Sequence, residues 1–173
     1  MDAERSAANA WMVRAAGGDR QAFGELAQWA GHALQRFCLS HLPPYQGDGA
    51  ADAVQETLLR AWQSARKFRP AGDALAWLMG IALNVARERR RQRQAGPLGL
   101  IDPPAAQTPP DERLDRLAAA VEALPERQRE AVVCRFFRGL SVFQTAEVMG
   151  VAEGTVKAAV FKALANLEKT LGD

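Results

Sequence analysis

Five of the chain's nine prolines fall within the eighteen residues from Gln94 to Asp111, QAGPLGLIDPPAAQTPPD. Pro97, Pro103, Pro104, Pro109 and Pro110 remove backbone donors, and each disfavours helix in the residue before it. The stretch is expected to be an extended linker. A chain of 173 residues divided there folds as two small modules, residues 1–93 and 112–173, each with its own core.

Both modules read as helical. In the first, Asp19 caps a segment that places Phe23, Leu26, Ala27, Ala30, Leu34, Phe37, Cys38 and Leu42 on one face. Pro43, Pro44, Gly47 and Gly49 interrupt it. A second helix is expected from Asp52, with Val54, Leu58, Ala61, Trp62 and Ala65 inward. After the loop Lys67 to Asp73, a third helix turns Leu75, Leu78, Met79, Ala82, Leu83 and Ala86 inward and ends in an arginine run. In the second module, Pro125 suits a first helical position and Gly139 a left-handed helix end. Ser141 then caps a helix from Val142 to Met149, in which Ala146 is small enough for a close crossing. Gly150 makes a turn, and Thr155 caps or opens a last helix with Val156, Val160 and Leu164 inward. That order is a helix-turn-helix. The fold class is therefore all-α: two small helical domains joined by a Pro-rich linker, the second a helix-turn-helix domain.

Charge is unevenly spread. Residues 1–93 hold 13 Lys and Arg against 9 Asp and Glu, whereas residues 112–173 hold nine of each. The excess base concentrates in Arg87, Arg89, Arg90, Arg91 and Arg93. On the third helix Trp77, Ile81, Asn84, Glu88 and Arg91 lie off the core face. An indole to stack on, an amide for base edges and guanidinium groups for phosphate would suit unpaired bases. For a lone Trp, packing under the loop before it is the commoner arrangement. The outer side of the second helix carries Asp52, Gln55, Glu56, Leu59, Arg60 and Gln63, either a solvated surface or a docking face.

Other chemistry finds no support. There is no Gly-rich phosphate loop, nucleophile elbow or pairing of His with carboxylates, so neither catalysis nor a cofactor is expected. His32, Cys38 and His41 fit no common metal spacing. Cys38 and Cys134 are expected as buried, reduced thiols of a cytoplasmic protein. No apolar run is long enough to insert in a membrane, and MDAERSAANA is no signal peptide.

The order of these segments resembles the bacterial RNA polymerase sigma factors of the sigma-70 family. DAVQETLLRAW, from Asp52, is similar to their helix that binds the polymerase clamp; FRPAGDALAWLMGIALNVARERRR, from Phe68, resembles the part that melts and reads the promoter −10 element. Leu124 to Leu167 resembles the domain that reads the −35 element, and Asp19 to Phe23 with Leu26 resembles the opening helix. With only a short linker between the modules, the organisation is like that of the extracytoplasmic-function (ECF) group. The resemblance implies that residues 1–93 bind core polymerase and the −10 element, and residues 112–173 the −35 element.

It further implies roles for single residues. Asp52, Gln55, Glu56, Leu59 and Arg60 would face the clamp of the largest polymerase subunit. Phe68, Arg69, Asp73, Trp77, Asn84, Arg87, Arg90 and Arg91 would meet −10 DNA, with the loop Phe68 to Asp73 as the pocket for a flipped base. Within the helix-turn-helix Val142 to Phe161 and just beyond, Glu153, Thr155, Lys157, Ala158, Phe161 and Lys162 would meet −35 DNA. The flap of the second-largest subunit and an anti-sigma factor, in this family often membrane-linked, are the other implied partners. Two features depart from the family. Ala158 and Ala159 stand where a Ser-Arg pair is common, leaving contact with thymine methyls but no donor. Pro70 interrupts a loop in which a shorter Arg-Gly-Asp run is frequent.

Overall fold

A computed structural model describes residues 2–42, 47–95 and 112–172. Among them every regular element is helical. The chain divides into two compact units, Met1–Pro97 and Leu98–Asp173. The expected breakers Pro43 and Pro44, and most of the expected linker (residues 96–111), lie outside the described residues.

Unit one contains α1 (Asp2–Ala16), α2 (Arg20–His41), α3 (Gly47–Ser64), a 3-10 turn (Ala65–Lys67) and α4 (Ala74–Ala95). The α1–α2 turn passes through Gly18 at φ +98, a conformation side chains resist. Asp19 then caps α2 as expected, its Oδ1 accepting from the Ala22 N–H at 3.0 Å. Arg14 donates to the other carboxylate oxygen at 2.6 Å, tying the end of α1 to the start of α2. Ala22, Leu26, Ala30, Leu34, Phe37 and Cys38 form the buried stripe of α2, while Ala8, Met12 and Ala15 do the same for α1. Each full burial of a Leu, Met or Phe side chain stabilises the unit by about 1.5–3 kcal/mol.

The second helix differs from expectation in start and register. It begins at Gly47, not Asp52, so Gly47 and Gly49 occupy its first turn and do not break the chain. Glycine costs about 1 kcal/mol in a helix interior, and burial of Ala50 and Ala53 just beyond offsets that. Its fully buried line is Ala50, Ala53, Thr57 and Ala61, with Val54, Leu58 and Trp62 flanking it half-buried. The Thr57 hydroxyl donates to the Ala53 carbonyl at 2.6 Å and so carries no unmet polarity inside. Trp62 packs on Phe23 of α2, ring centroids 5.2 Å apart. In α4 the expected core residues Leu78, Met79, Ala82, Leu83 and Ala86 are buried and Leu75 is half-buried. The helix runs on through Ala95, two residues into the expected linker.

Unit two contains α5 (Glu112–Glu122), α6 (Glu126–Val132), a π-helical turn (Val133–Phe137), α7 (Val142–Met149) and α8 (Glu153–Leu171). Its core joins Ala120, Val121 and Leu124 to Val132 and Val133, and these to Ala163 and Leu167. Pro125 is the cap residue just before α6, one position earlier than expected, and its carbonyl accepts from the Gln128 and Arg129 N–H groups. The wide turn places Phe136 and Phe137 on the surface before Gly139, at φ +65, ends the segment as expected. Ser141 and Gln144 form a reciprocal capping box on α7, and Gly150 closes α7 in the left-handed region at φ +66.

The last helix corrects the sequence reading twice. It starts at Glu153 behind Ala152, so Thr155 sits inside its first turn and does not cap it. Its buried side is Val156, Ala159, Ala163 and Leu167; Val160 is half-buried and Leu164 exposed. The reason is helical phase. Repeated steps of four drift about 40° each, so Val156, Val160 and Leu164 fan away from one another, whereas a three-four-four spacing follows the helix axis.

Thr145 of α7 is wholly buried, and its hydroxyl has no partner among the described residues. A buried unmet donor costs about 1–3 kcal/mol. Thr145→Val keeps the shape and removes that cost, so amides of α7 and α8 should exchange with solvent at least about fivefold more slowly than in wild type. Faster exchange in the variant would show that the hydroxyl is satisfied.

Candidate nucleic-acid interface

The loop that leads into α4 is built from both sides. Its turn runs Arg69-Pro70-Ala71-Gly72, closed by the Gly72 N–H on the Arg69 carbonyl at 2.8 Å. Pro70 sits where its fixed φ suits the second turn position. A Cβ on Gly72 would lie 3.1 Å from the Arg69 carbonyl oxygen and against the Phe68 ring, so the close approach favours glycine. Asp73 caps α4, its Oδ1 accepting from the Ala76 N–H at 2.9 Å. The Asn9 side chain accepts from the Ala74 N–H at 2.8 Å, and Arg5 reaches Asp73 at 3.4 Å. Helix α1 therefore holds the loop, a role for Arg5 and Asn9 that the sequence did not reveal.

Along α4 the expected face is present in graded exposure. Trp77 and Ile81 are half-buried; Asn84, Glu88 and Arg91 are exposed. Phe68 is buried and meets Trp77 edge-on at 5.7 Å, so the indole does pack under the preceding loop while keeping part of its surface in solvent. Asn84 accepts from Arg87 at 3.0 Å, which joins amide and guanidinium in one polar patch. Arg69 is exposed. Arg90 donates to the His41 carbonyl at 3.2 Å and Arg89 to the Gly49 carbonyl at 3.0 Å, so part of the arginine run binds neighbouring helices. His41 itself is buried, stacked on Phe37 at 4.1 Å.

The outer side of α3 separates into two groups. Asp52, Gln55 and Leu59 are exposed, and Leu59 is a large apolar side chain at 56% exposure. A depression between α2 and α3 borders them, lined by Gln28, Gly31, His32, Gln35 and Val54 as well as Gln55. Glu56 and Arg60 turn instead to α4. Arg60 forks onto Glu88, with Nη1 on Oε1 at 2.9 Å and Nη2 on Oε2 at 2.7 Å, and it also meets Glu56 at 2.5 Å. The second oxygen of Glu56 accepts from Arg89 at 3.1 Å. The hydrogen bond from Arg60, helped by the charges of Arg60 and Arg91, holds the Glu88 carboxyl below its ordinary pKa against the opposing effect of desolvation. The same bond to Glu88 raises that of Arg60, with Glu56 adding to it. Cys38 lies inside the unit, where burial pushes its thiol up to about 11 although the Arg89 charge pulls the other way.

In unit two Glu153, Thr155, Lys157, Ala158, Phe161 and Lys162 are all exposed on α8. Ala159, expected beside Ala158 on the groove side, is buried and belongs to the core. Phe161 is 76% exposed between two lysines. Phe136, Phe137, Phe143 and Leu164 are also exposed, an apolar display the sequence reading did not anticipate. Among the described residues no helix is long and apolar enough to cross a membrane.

Comparison with known proteins gives two family matches, Sigma-70 region 2 over residues 31–96 and Sigma-70, region 4 over residues 114–167. The chain is 36% identical over 172 residues to the ECF RNA polymerase sigma factor SigM of Mycobacterium tuberculosis, covering 98% of this chain and 86% of that one. It is 40% identical over 131 residues to SigL of the same species, covering 70% and 74%. Among solved structures it is similar to CnrH in complex with the cytosolic domain of CnrY (TM-score 0.70, 28% identity, 96% and 97% covered). It is also similar to the sigma factor RpoE in complex with the anti-sigma factor NepR from Bartonella quintana (TM-score 0.65, 28% identity, 87% and 96% covered).

The Glu88 carboxyl has a lower pKa folded than unfolded. Its contribution to stability is thus complete above the unfolded value and is lost as pH falls through the folded one. All four tryptophans, Trp11, Trp29, Trp62 and Trp77, lie in unit one, so their fluorescence reports that unit alone. Urea unfolding followed this way should give Glu88→Gln a lower midpoint than wild type at pH 7, with the gap closing toward pH 3. A constant gap would mean that the fork adds no pH-dependent stability.

Proposed function

The chain belongs to the sigma-70 family of transcription initiation factors, in its ECF group, and on that footing we propose how its two units divide the work of promoter opening. Unit one binds core RNA polymerase through Asp52, Gln55 and Leu59, which with the α2–α3 depression form a continuous exposed face toward the clamp of the largest subunit. The exposed side of α4 receives the melted −10 strand. Trp77 offers the open part of its indole as a stacking platform, the Asn84–Arg87 patch meets base edges and phosphate, and Arg91 meets phosphate. The loop Phe68 to Asp73 holds a flipped base, with Arg69 exposed at its mouth and Asp73 fixing its far end.

Unit two anchors the complex upstream. The outward side of α8 enters the major groove at −35, where Ala158 and Phe161 can touch thymine methyls and Lys157 and Lys162 phosphate. With few donors toward base edges, DNA shape supplies part of the selectivity. The exposed Phe136, Phe137 and Phe143 suit the flap of the second-largest subunit. When polymerase is not bound, an anti-sigma factor, itself tethered to the membrane, covers such apolar and charged faces, and the sigma factor stays in the cytoplasm. RpoE, solved in complex with the anti-sigma factor NepR, supports a partner of that kind but not its tether.

The match along 98% of the chain to an ECF sigma factor carries this reading, because both candidate surfaces fall within it. Purified protein added to core polymerase should initiate transcription from a genomic promoter library. If no complex with core forms, the reading is wrong. Stacking on an aromatic side chain is worth about 1–3 kcal/mol per base. Trp77→Ala should therefore reduce open complex about tenfold or more, with closed-duplex binding within about twofold of wild type. Equal loss in footprints of both complexes would remove Trp77 from the melting surface.

A further inference from the structure

Glu88 poses a problem on the proposed DNA side of α4. It lies at helical spacing between Asn84 and Arg91, both exposed, and it is itself exposed. Its pKa is lowered, so it stays ionised in any buffer that supports transcription. An uncompensated carboxylate there would repel the phosphates that the neighbouring guanidinium groups attract. Arg60, from α3, meets both of its oxygens.

We propose that Arg60 is a positioning residue for −10 DNA binding, masking Glu88 from the phosphate backbone, and not a contact to polymerase. This rests on the reading of the chain as a sigma factor and reassigns one residue within it. Three observations carry it. The guanidinium is committed on two edges, forked onto Glu88 and bonded to Glu56, so a polymerase carboxylate would have to displace an existing bidentate pair. Glu56 in turn is held at its other oxygen by Arg89, so Glu88, Arg60, Glu56 and Arg89 form a charge-balanced chain across α3 and α4. Asp52, Gln55 and Leu59, by contrast, present exposed side chains on the same helix. The polymerase face and the DNA face thus share α3, and Arg60 serves the second.

Lysine could not do the same. An ammonium is a point charge without the planar fork that matches a carboxylate. Methionine keeps much of the stem's volume while losing the charge and the N–H donors, which makes Arg60→Met the informative variant.

The test uses full-length protein assembled with core polymerase. The DNA probe is a fork-junction duplex cut from whichever promoter fragment the wild-type holoenzyme selects from a genomic library. Arg60→Met should bind core polymerase within about twofold of wild type. Its holoenzyme should bind the fork junction roughly fivefold more weakly at low salt, the size of an unscreened charge near the surface, and the deficit should shrink as salt rises. Adding Glu88→Gln to Arg60→Met removes the exposed charge without restoring the bridge, and should return DNA affinity to within about twofold of wild type. A merely structural bridge would leave the double variant as weak as the single one, and that result would overturn the proposal. So would wild-type DNA affinity in Arg60→Met, or a loss of core binding that Glu88→Gln does not repair. If wild-type protein fails to bind core polymerase at all, the sigma-factor reading falls and takes this inference with it.

Discussion

The approach of α3 to α4 is the constraint on which unit one depends. The inward line of α3 is almost all alanine, and α4 adds buried Ala74, Ala76, Ala82 and Ala86. Small side chains let helices come close, but they offer few knobs to fix an angle. The fork from Arg60 to Glu88 and the bond from Arg89 to Glu56 supply what the alanines lack: directional bonds that hold one helix at a set rotation on the other. Each ion pair is partly exposed and individually weak. Their value here lies in geometry, because the two candidate partner surfaces sit on these two helices.

Unit two solves a smaller problem with different means. With fewer residues and, apart from α8, short helices, it relies on local punctuation. The Ser141–Gln144 box starts α7, the left-handed Gly150 ends it, and the Arg129 side chain donates to the Glu122 and Leu124 carbonyls across the α5–α6 turn. These devices set the turn between α7 and α8 to within a residue. The outward side of α8 is then fixed by where Val156, Ala159, Ala163 and Leu167 must go. The candidate DNA-facing surface is here the remainder left after packing.

How much could be read beforehand follows the same division between local and distant causes. Asp19, Gly139, Ser141 and Gly150 act within a few residues of themselves, and each was legible. The two-unit organisation was legible because proline excludes helix by covalent geometry. Helix α1 was not resolved as an element, since its buried Ala8, Met12 and Ala15 make a thin stripe without a strong cap signal. The destinations of Glu56 and Arg60 were hidden for another reason: their partners lie about thirty residues away, and no periodicity along α3 encodes them. Ala159 was misplaced because alanine is equally at home in a core and on a surface, so only the phase of its neighbours could decide.

Helix α4 is a single unbroken rod from Ala74 to Ala95. Trp77 and Arg91 are fourteen residues apart on it, which at about 1.5 Å per residue is a span of about 21 Å. The rod is thus a ruler as well as a surface. One residue added between the two marks would lengthen it by only about 1.5 Å but would swing the far mark about 100° around the axis. The spacing between the Trp77 indole and the Arg91 guanidinium is therefore written into the helix, about four turns apart.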